Sequence, residues 1–195
     1  MEIIERLDEV RTRWNVLDHP FYRRWEHGDL AREDLAFYAG EYRHAVVALA
    51  ETAAATGDAG HAREETQHIE LWDDFAHSLE APLDRAPRDG TAECADAWRR
   101  SDPLEARAVL YAVESAQPAI SRTKLAGLIT HYGFEAESPA MAYFRVHAML
   151  DAEHAAASRR VLEQHAGDGD ADRLAAAAEA ALRGNWHLLD SVAAA

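Results

Sequence analysis

Apolar positions along the chain recur every three or four residues, which is the spacing of one face of an α-helix. Ile3, Leu7, Val10 and Trp14 form the first such stripe and predict a helix over residues 2–16. Similar stripes predict helices over about 31–55, 61–79, 103–132, 139–167 and 171–192, with shorter ones near 21–28 and 91–100. Since no strand-like alternation is present, the pattern predicts an all-α fold.

Prolines and glycines separate these segments. His19-Pro20 and Ser101-Asp102-Pro103 place a proline where a helix begins, and Gly133 follows a helix as a C-cap. Pro118 falls inside the segment 103–132, where we expect a kink because proline removes one backbone donor. No repeat or linker is visible, so we expect residues 1–195 to form a single domain, a bundle of about seven main helices.

Charge and cysteine content narrow the class of protein. A net charge of −15 makes nucleic acid and anionic membrane surfaces poor partners. No apolar run has the length of a transmembrane helix, and the first residues do not resemble a signal peptide. The single cysteine, Cys94, excludes an internal disulfide and fits a reducing compartment. We therefore expect a soluble cytoplasmic protein without nucleic-acid or membrane partners.

The helix predicted over 139–167 carries the clearest chemical motif. His147, Asp151 and His154 have offsets of zero, four and seven, which align them on one helix face. Two imidazoles and a carboxylate form a mixed nitrogen and oxygen donor set, and such a set suits iron or manganese. The segment therefore predicts one side of a metal site, although a solvated polar stripe is the alternative interpretation.

Two other predicted helices offer further ligands. His61, Glu64, Glu65 and His68 share a face of the helix over 61–79, because their spacings are three, four and seven. Glu114 has mostly apolar neighbours, so it should point into the bundle, where a metal or an arginine must compensate its charge. Dinuclear carboxylate sites in helical bundles collect Glu and His residues from several helices in this way.

The segments His19–Trp25, Tyr38–His44 and His68–Ala76, together with the pair Leu110–Gly133 and Tyr143–His154, resemble the heme-oxygenase-like diiron oxidases. This family lies within the superfamily of thiaminase-II and pyrroloquinoline-quinone-synthase folds. The matching segments span almost the whole chain in the expected order, and the last pair is the most specific. The resemblance implies a heme-oxygenase-like bundle that holds two iron ions, or iron and manganese, with O2 as co-substrate.

The branch that the chain resembles most makes p-aminobenzoate by consuming its own side chains. This likeness implies that Glu114 is a metal ligand, that Lys124 supplies an amino group and that Tyr22 becomes the aromatic ring. Tyr38 matches a second active-site tyrosine. Lys124 is the only lysine among 20 basic residues. A surface lysine paired to a glutamate is the ordinary alternative.

The chain departs from the family at the first ligand, because His61 stands where a glutamate normally precedes His68 by seven residues. Either His61 ligates directly, or Glu64 or Glu65 takes the role. We prefer Glu65 because the E-x2-H spacing also occurs among relatives. The predicted metal ligands are His61, Glu65, His68, Glu114, His147, Asp151 and His154.

The leading hypothesis is an O2-activating nonheme dinuclear iron (or Fe/Mn) oxidase that acts on a small molecule or on its own side chains, in a homodimer. One alternative is a cofactor-free enzyme that binds small heteroaromatic molecules, as the thiaminase-II and quinone-synthase branches do. Another is a non-catalytic interaction protein. Thiaminase-type members use a cysteine on the helix that here carries Glu114, whereas Cys94 lies on the preceding short helix and is expected to pack in the core.

Overall fold

A computed structural model describes residues 2–167 and 169–194, and the regular elements in those ranges are helical. The α-helices are α1 (Ile3–Arg13), α2 (Pro20–His27), α3 (Arg32–Ala55), α4 (Ala59–Ser78), α5 (Asp89–Trp98), α6 (Pro103–Glu114), α7 (Gln117–His131), α8 (Ala142–His165) and α9 (Ala171–Ala193). Short 3-10 turns span Val16–Asp18 and Pro139–Met141. The all-α fold predicted from the apolar spacing is confirmed.

The segment predicted as one kinked helix consists of two helices. α6 ends at Glu114, and α7 begins at Gln117 with Pro118 in its first turn. Because Pro118 has no N–H, it cannot donate to the carbonyl of Glu114, four residues earlier. The kink predicted at Pro118 is therefore a break, which leaves Glu114 as the last residue of α6. Gly133 follows the end of α7 with φ of 73°, as predicted for a C-cap.

The first turn of α4 is fixed by a side-chain cap. Asp58 accepts hydrogen bonds from the backbone N–H groups of Gly60 and His61, at 3.1 and 3.2 Å. This cap starts α4 at Ala59, slightly earlier than the sequence predicted. As a result His61 lies in a well-anchored first turn, and its side chain is directed into the bundle.

The helices pack around one apolar core. α8 lies against both α6 and α7, while α4 runs along α3 and α5 packs closely on α9. A Cβ added to Gly184 would lie 2.9 Å from the Cα of Cys94, so α5 and α9 approach closely at this point. Trp25, Trp72 and Trp98 are completely buried in the core. This packing fixes the positions of α4, α6 and α8, which carry the candidate ligands.

Most helices bury one face and expose the other. In α1, Leu7 and Val10 are buried while Glu5 and Glu9 are exposed. None of the helices in the described ranges has the length and apolar character needed to cross a membrane.

Candidate metal centre and adjoining lysine pocket

Helices α4, α6 and α8 bring the predicted ligands together inside the bundle. The side chains that they contribute are His61, Glu65, His68, Glu114, His147, Asp151 and His154. The first six residues are at most 6% exposed, and His154 is partly buried. The spacings of three, four and seven on α4 and α8 therefore turn these side chains inward, as the sequence indicated.

The ligand atoms form two groups that share one residue. His61, Glu65, Glu114 and His154 offer atoms that all lie within 4.8 Å of one another. Glu65 forms the second group with His68 and His147 by the same criterion. Glu65 thus lies between the two groups, where its two carboxylate oxygens can serve neighbouring positions.

The three alternatives for the first ligand differ in burial and in position. His61 and Glu65 are buried, and both belong to the group that contains His154. Glu64 is in neither group; its side chain is 50% exposed and reaches His154 from the outside. Helical spacing alone could not separate Glu64 from Glu65, because spacing does not show how the helix is rotated about its axis against the core.

Asp151 lies beside the two groups without belonging to either. Both of its carboxylate oxygens are buried and have no hydrogen-bond partner. Burial first, and then the nearby carboxylates of Glu114 and Glu65, raise the pKa of Asp151 to about 10, although His61 opposes this shift. In the metal-free protein Asp151 is therefore a neutral acid at pH 7, next to the other carboxylates.

A divalent metal fits these residues because many of their buried donor atoms lack a hydrogen-bond partner. The unpartnered atoms include Nε2 of His61 and of His147, Nδ1 of His154, and both oxygens of Glu114 and of Asp151. Nε2 of His61 lies 2.9 Å from Oε1 of Glu114, but the two atoms do not have hydrogen-bond geometry. Leaving so many buried polar atoms unpaired is costly. Metal ions would pair them, and mixed imidazole and carboxylate donors suit iron or manganese.

When no metal is bound, the protonation states of the carboxylates and histidines set the charge of this region. Burial raises the pKa of Glu114 to about 7, although His61 pulls it down. Burial lowers the pKa of His61, but the carboxylates of Glu114 and Glu65 raise it to about 10 overall. Burial and the neighbouring His68 lower the pKa of His147 to about 4, so its imidazole is neutral and ready to bind a metal.

A second cluster surrounds Lys124, which is only 2% exposed on α7. Its Nζ donates a hydrogen bond of 2.7 Å to the hydroxyl of Tyr38, and that hydroxyl lies 2.9 Å from the hydroxyl of Tyr22. Burial lowers the pKa of Lys124 well below its usual value. Burial therefore favours the neutral form of the amine, which carries a free lone pair. A surface lysine paired to a glutamate, the alternative interpretation, is wrong.

Six aromatic rings lie around the amine. The Nζ of Lys124 lies between 4.7 and 5.9 Å from the centroids of six rings, which belong to Tyr22, Trp25, Tyr38, Tyr42, Trp72 and Phe144. We define these residues, with Lys124, as the lysine pocket. All six rings lie in segments that the sequence had selected, but the spacing did not show that they enclose Lys124.

Aromatic contacts connect the lysine pocket to the metal centre. The ring of Tyr143 stacks on the imidazole of His147, with centroids 4.0 Å apart and planes at 26°. Trp72 follows, 4.8 Å from Tyr143. Tyr143 is not among the site residues predicted from the sequence. The signal was its position four residues before His147, where its carbonyl accepts a hydrogen bond of 2.8 Å from Nδ1 of that histidine.

Cys94 is fully buried on α5, as expected for a packed core residue. Burial raises the pKa of its thiol well above the usual value, and a protonated thiol is a poor nucleophile. Its position on α5, away from Glu114 on α6, argues against thiaminase-type chemistry.

Comparison with known proteins agrees with this geometry. A family model described as an iron-containing redox enzyme matches residues 36–186, a range that contains the seven candidate ligands, Tyr38 and Lys124. A 4-aminobenzoate synthase of Chlamydia trachomatis serovar D is 30% identical over 98% of this chain and 92% of the relative. A 4-aminobenzoate synthase of Chlamydia muridarum is 29% identical over 98% of this chain and 90% of the relative.

Solved structures show the same fold. A domain of unknown function with a heme oxygenase-like fold from Shewanella denitrificans matches with a TM-score of 0.82 and 20% identity. The match covers 100% of this chain and 93% of that structure. The heme-oxygenase-like bundle predicted from the sequence is confirmed.

Proposed function

We propose a function that proceeds from the family of this chain, which belongs to the iron-containing redox enzymes. The chain is an O2-activating nonheme oxidase with a dinuclear iron or Fe/Mn centre. The observation that carries the proposal is that Glu65 belongs to both of the buried groups of histidines and carboxylates. A carboxylate in that position can join two metal ions. The proposed ligands are His61, Glu65, His68, Glu114, His147 and His154, with Asp151 completing the set.

The metals, when bound, would supply the electrons that reduce O2. The protein side chains supply the remaining conditions. Neutral imidazoles such as His147 offer nitrogen lone pairs, and Asp151 can release a proton when a cation binds beside it. The aromatic layer of Tyr143 and Trp72 keeps water away from the space between the centre and the lysine pocket.

We further propose that the chain is a p-aminobenzoate synthase that uses its own side chains. The relatives named 4-aminobenzoate synthase support this assignment. Tyr22 would provide the ring and Lys124 the amino nitrogen, with the amine 5.0 Å from the ring centroid of Tyr22. The hydroxyl of Tyr38 is hydrogen-bonded to both side chains and would hold them in place. A free small-molecule substrate is the alternative, and we propose a homodimer as the working assembly.

Metal content tests the oxidase proposal directly. Protein purified without oxygen from iron-supplemented cells should bind about two metal ions per chain and change its absorption when O2 is added. Because Glu65 is shared, Glu65→Ala should lose both ions, whereas His68→Ala should lose one. His77→Ala, at an exposed position on the same helix, is the control and should bind metal normally. A wild-type content below about a tenth of an equivalent would contradict the proposal.

A further inference from the structure

His154 is the outermost of the candidate ligands, and it is held from outside the site. Its side chain is 15% exposed, and its Nε2 lies 3.0 Å from Oε2 of Glu64, whose side chain is 50% exposed. The other ring nitrogen, Nδ1, is buried and has no hydrogen-bond partner. Because a carboxylate oxygen accepts, Nε2 carries the proton of this hydrogen bond, and Nδ1 keeps its lone pair.

The arrangement differs from that of His147, the other candidate ligand histidine on α8. Nδ1 of His147 donates to the carbonyl of Tyr143, within α8, and leaves Nε2 free. For His154 the free nitrogen is Nδ1, and the restraining partner belongs to α4. Metal-binding histidines usually donate their second N–H to a carboxylate or a carbonyl, which fixes the ring and its tautomer. Both histidines follow this rule, but only His154 depends on a second helix.

We propose that Glu64 is a positioning residue for the metal centre. By its hydrogen bond to Nε2, Glu64 holds Nδ1 of His154 towards Glu114 and His61. The inference rests on the proposed function, because it concerns the same site. Glu64 itself is not a ligand in this view, since it belongs to neither group of converging atoms. Its role is to join α4 and α8 at the exposed edge of the centre.

The proposal predicts an effect on one of the two groups only. Without Glu64, the ring of His154 is free to turn towards solvent, and the group of His61, Glu65 and Glu114 loses a nitrogen donor. The group of Glu65, His68 and His147 is held by contacts that do not involve Glu64. The two metal positions should therefore respond differently to the same substitution.

Cobalt titration of the metal-free full-length chain tests this inference. Co2+ binding is followed by visible absorption, with a competing chelator to measure affinity, in wild type, Glu64→Ala, Glu64→Gln and Glu70→Ala. Glu64→Ala should weaken one of two binding steps by about 10- to 100-fold and change the absorption of that step alone. Glu64→Gln should restore most of the affinity because its amide oxygen still accepts. Glu70→Ala removes the same charge at an exposed position of α4 and should match wild type.

Three results would overturn the inference. Wild-type affinity at both steps in Glu64→Ala would show that the carboxylate positions nothing. Equal weakening of both steps, together with a lower melting temperature of the metal-free variant, would show a general structural role. Wild-type protein that binds no Co2+ would overturn the proposed function and this inference with it, whereas the first two results leave the proposed function intact.

Discussion

Asp151 shows how far the environment of one residue can be worked out from burial and charge. A carboxyl group in an apolar interior resists ionisation, and the carboxylates of Glu114 and Glu65 beside it add repulsion. The sequence could place Asp151 on the same helix face as His147 and His154, because helical spacing is regular. It could not show that both oxygens would be buried without partners, since that depends on how α8 packs against α4 and α6.

The raised pKa of Asp151 gives a prediction for the stability of the metal-free protein. The folded-state pKa is about 10, whereas an unfolded Asp has a pKa of about 3.9. Between these values the folded protein holds a proton that the unfolded chain has released. The contribution of this group is therefore complete below about pH 4 and is lost as the pH rises, by up to about 1.4 kcal/mol per pH unit.

Urea unfolding of chelator-treated protein between pH 5 and 8 measures this effect. Asp151→Asn cannot ionise, so its free energy of unfolding should rise relative to wild type as the pH increases. Asp74→Asn, at an exposed position on α4, serves as the control and should differ from wild type by a nearly constant amount. A difference between Asp151→Asn and wild type that does not change with pH would refute the buried neutral acid.

Lys124 and Tyr22 carry a separate prediction about the reaction. Lys124→Met keeps an unbranched side chain in the lysine pocket but removes the amine, and Tyr22→Phe removes the hydroxyl that bonds to Tyr38. Methionine is preferable to arginine, because a buried guanidinium would remain charged among aromatic rings. Both variants should fold and bind metal as wild type does, yet should form no aminated aromatic product. Mass spectrometry after O2 exposure of the iron-loaded protein measures that product.

The number of turnovers per chain distinguishes a self-consuming reaction from ordinary catalysis. If the side chains are consumed, wild type should form about one product per chain at most, and the mass of the spent protein should change. Multiple turnovers on an added substrate by both variants would exclude the self-consuming reaction. An ordinary small-molecule oxidase with the same metal centre would then remain.

At the scale of elements, the sequence predicted most helices from their apolar stripes and, for some of them, from a capping residue at the start. Asp102 and Pro103 start α6, and Asp58 caps α4, as their residue types indicate. The break between α6 and α7 was underestimated, because a proline inside an apolar stripe can bend or end a helix and only its neighbours decide which. The break has a consequence for function, since it ends α6 at Glu114 and starts the separate helix that carries Lys124.

The contact of α7 with α2 gives a prediction at this scale. A Cβ on Gly127 would lie 2.7 Å from Cδ1 of Trp25 and 3.0 Å from its carbonyl oxygen. Trp25 is fully buried and donates from Nε1 to the carbonyl of Lys124, so it has little room to move. Gly127→Ala should therefore destabilise the protein by about 1–3 kcal/mol, although alanine favours helix by about 1 kcal/mol elsewhere.

Chemical denaturation of Gly127→Ala and Gly60→Ala tests the packing argument. At Gly60 the nearest atom to an added Cβ is Oδ1 of Asp58 at 3.4 Å, which is an ordinary contact. Gly60→Ala should be neutral or more stable than wild type by under about 1 kcal/mol. Equal stability of the two variants would mean that α2 and α7 do not need to approach as closely as the structure shows.

At the scale of the whole molecule, the proposed metal centre would join parts of the chain that are far apart in sequence. Its proposed ligands extend from His61 on α4 to His154 on α8, so metal ions would tie three helices together across the bundle. The sequence could predict which residues are of ligand type and on which helix face they lie. It could not predict that Glu65 would be shared by two groups, because this depends on the distance between helices.

The last prediction concerns the stability that such a centre should add. A ligand that binds only the folded state stabilises it by about 2.7 kcal/mol at a free concentration of 100 times its Kd. For a chain of this length that energy corresponds to a rise in Tm of roughly 5–10 °C.

Mn2+ added to the metal-free protein should produce a rise of this size, and a chelator should reverse it. The single-domain prediction adds that unfolding should occur in one transition. His147→Ala should reduce the rise in Tm, because it removes a donor from the group of Glu65 and His68, while the exposed His77→Ala should retain it. Calorimetry that shows no shift with Mn2+ in wild type would contradict a stabilising ion at this centre, and an equal shift in His147→Ala would place the ion elsewhere.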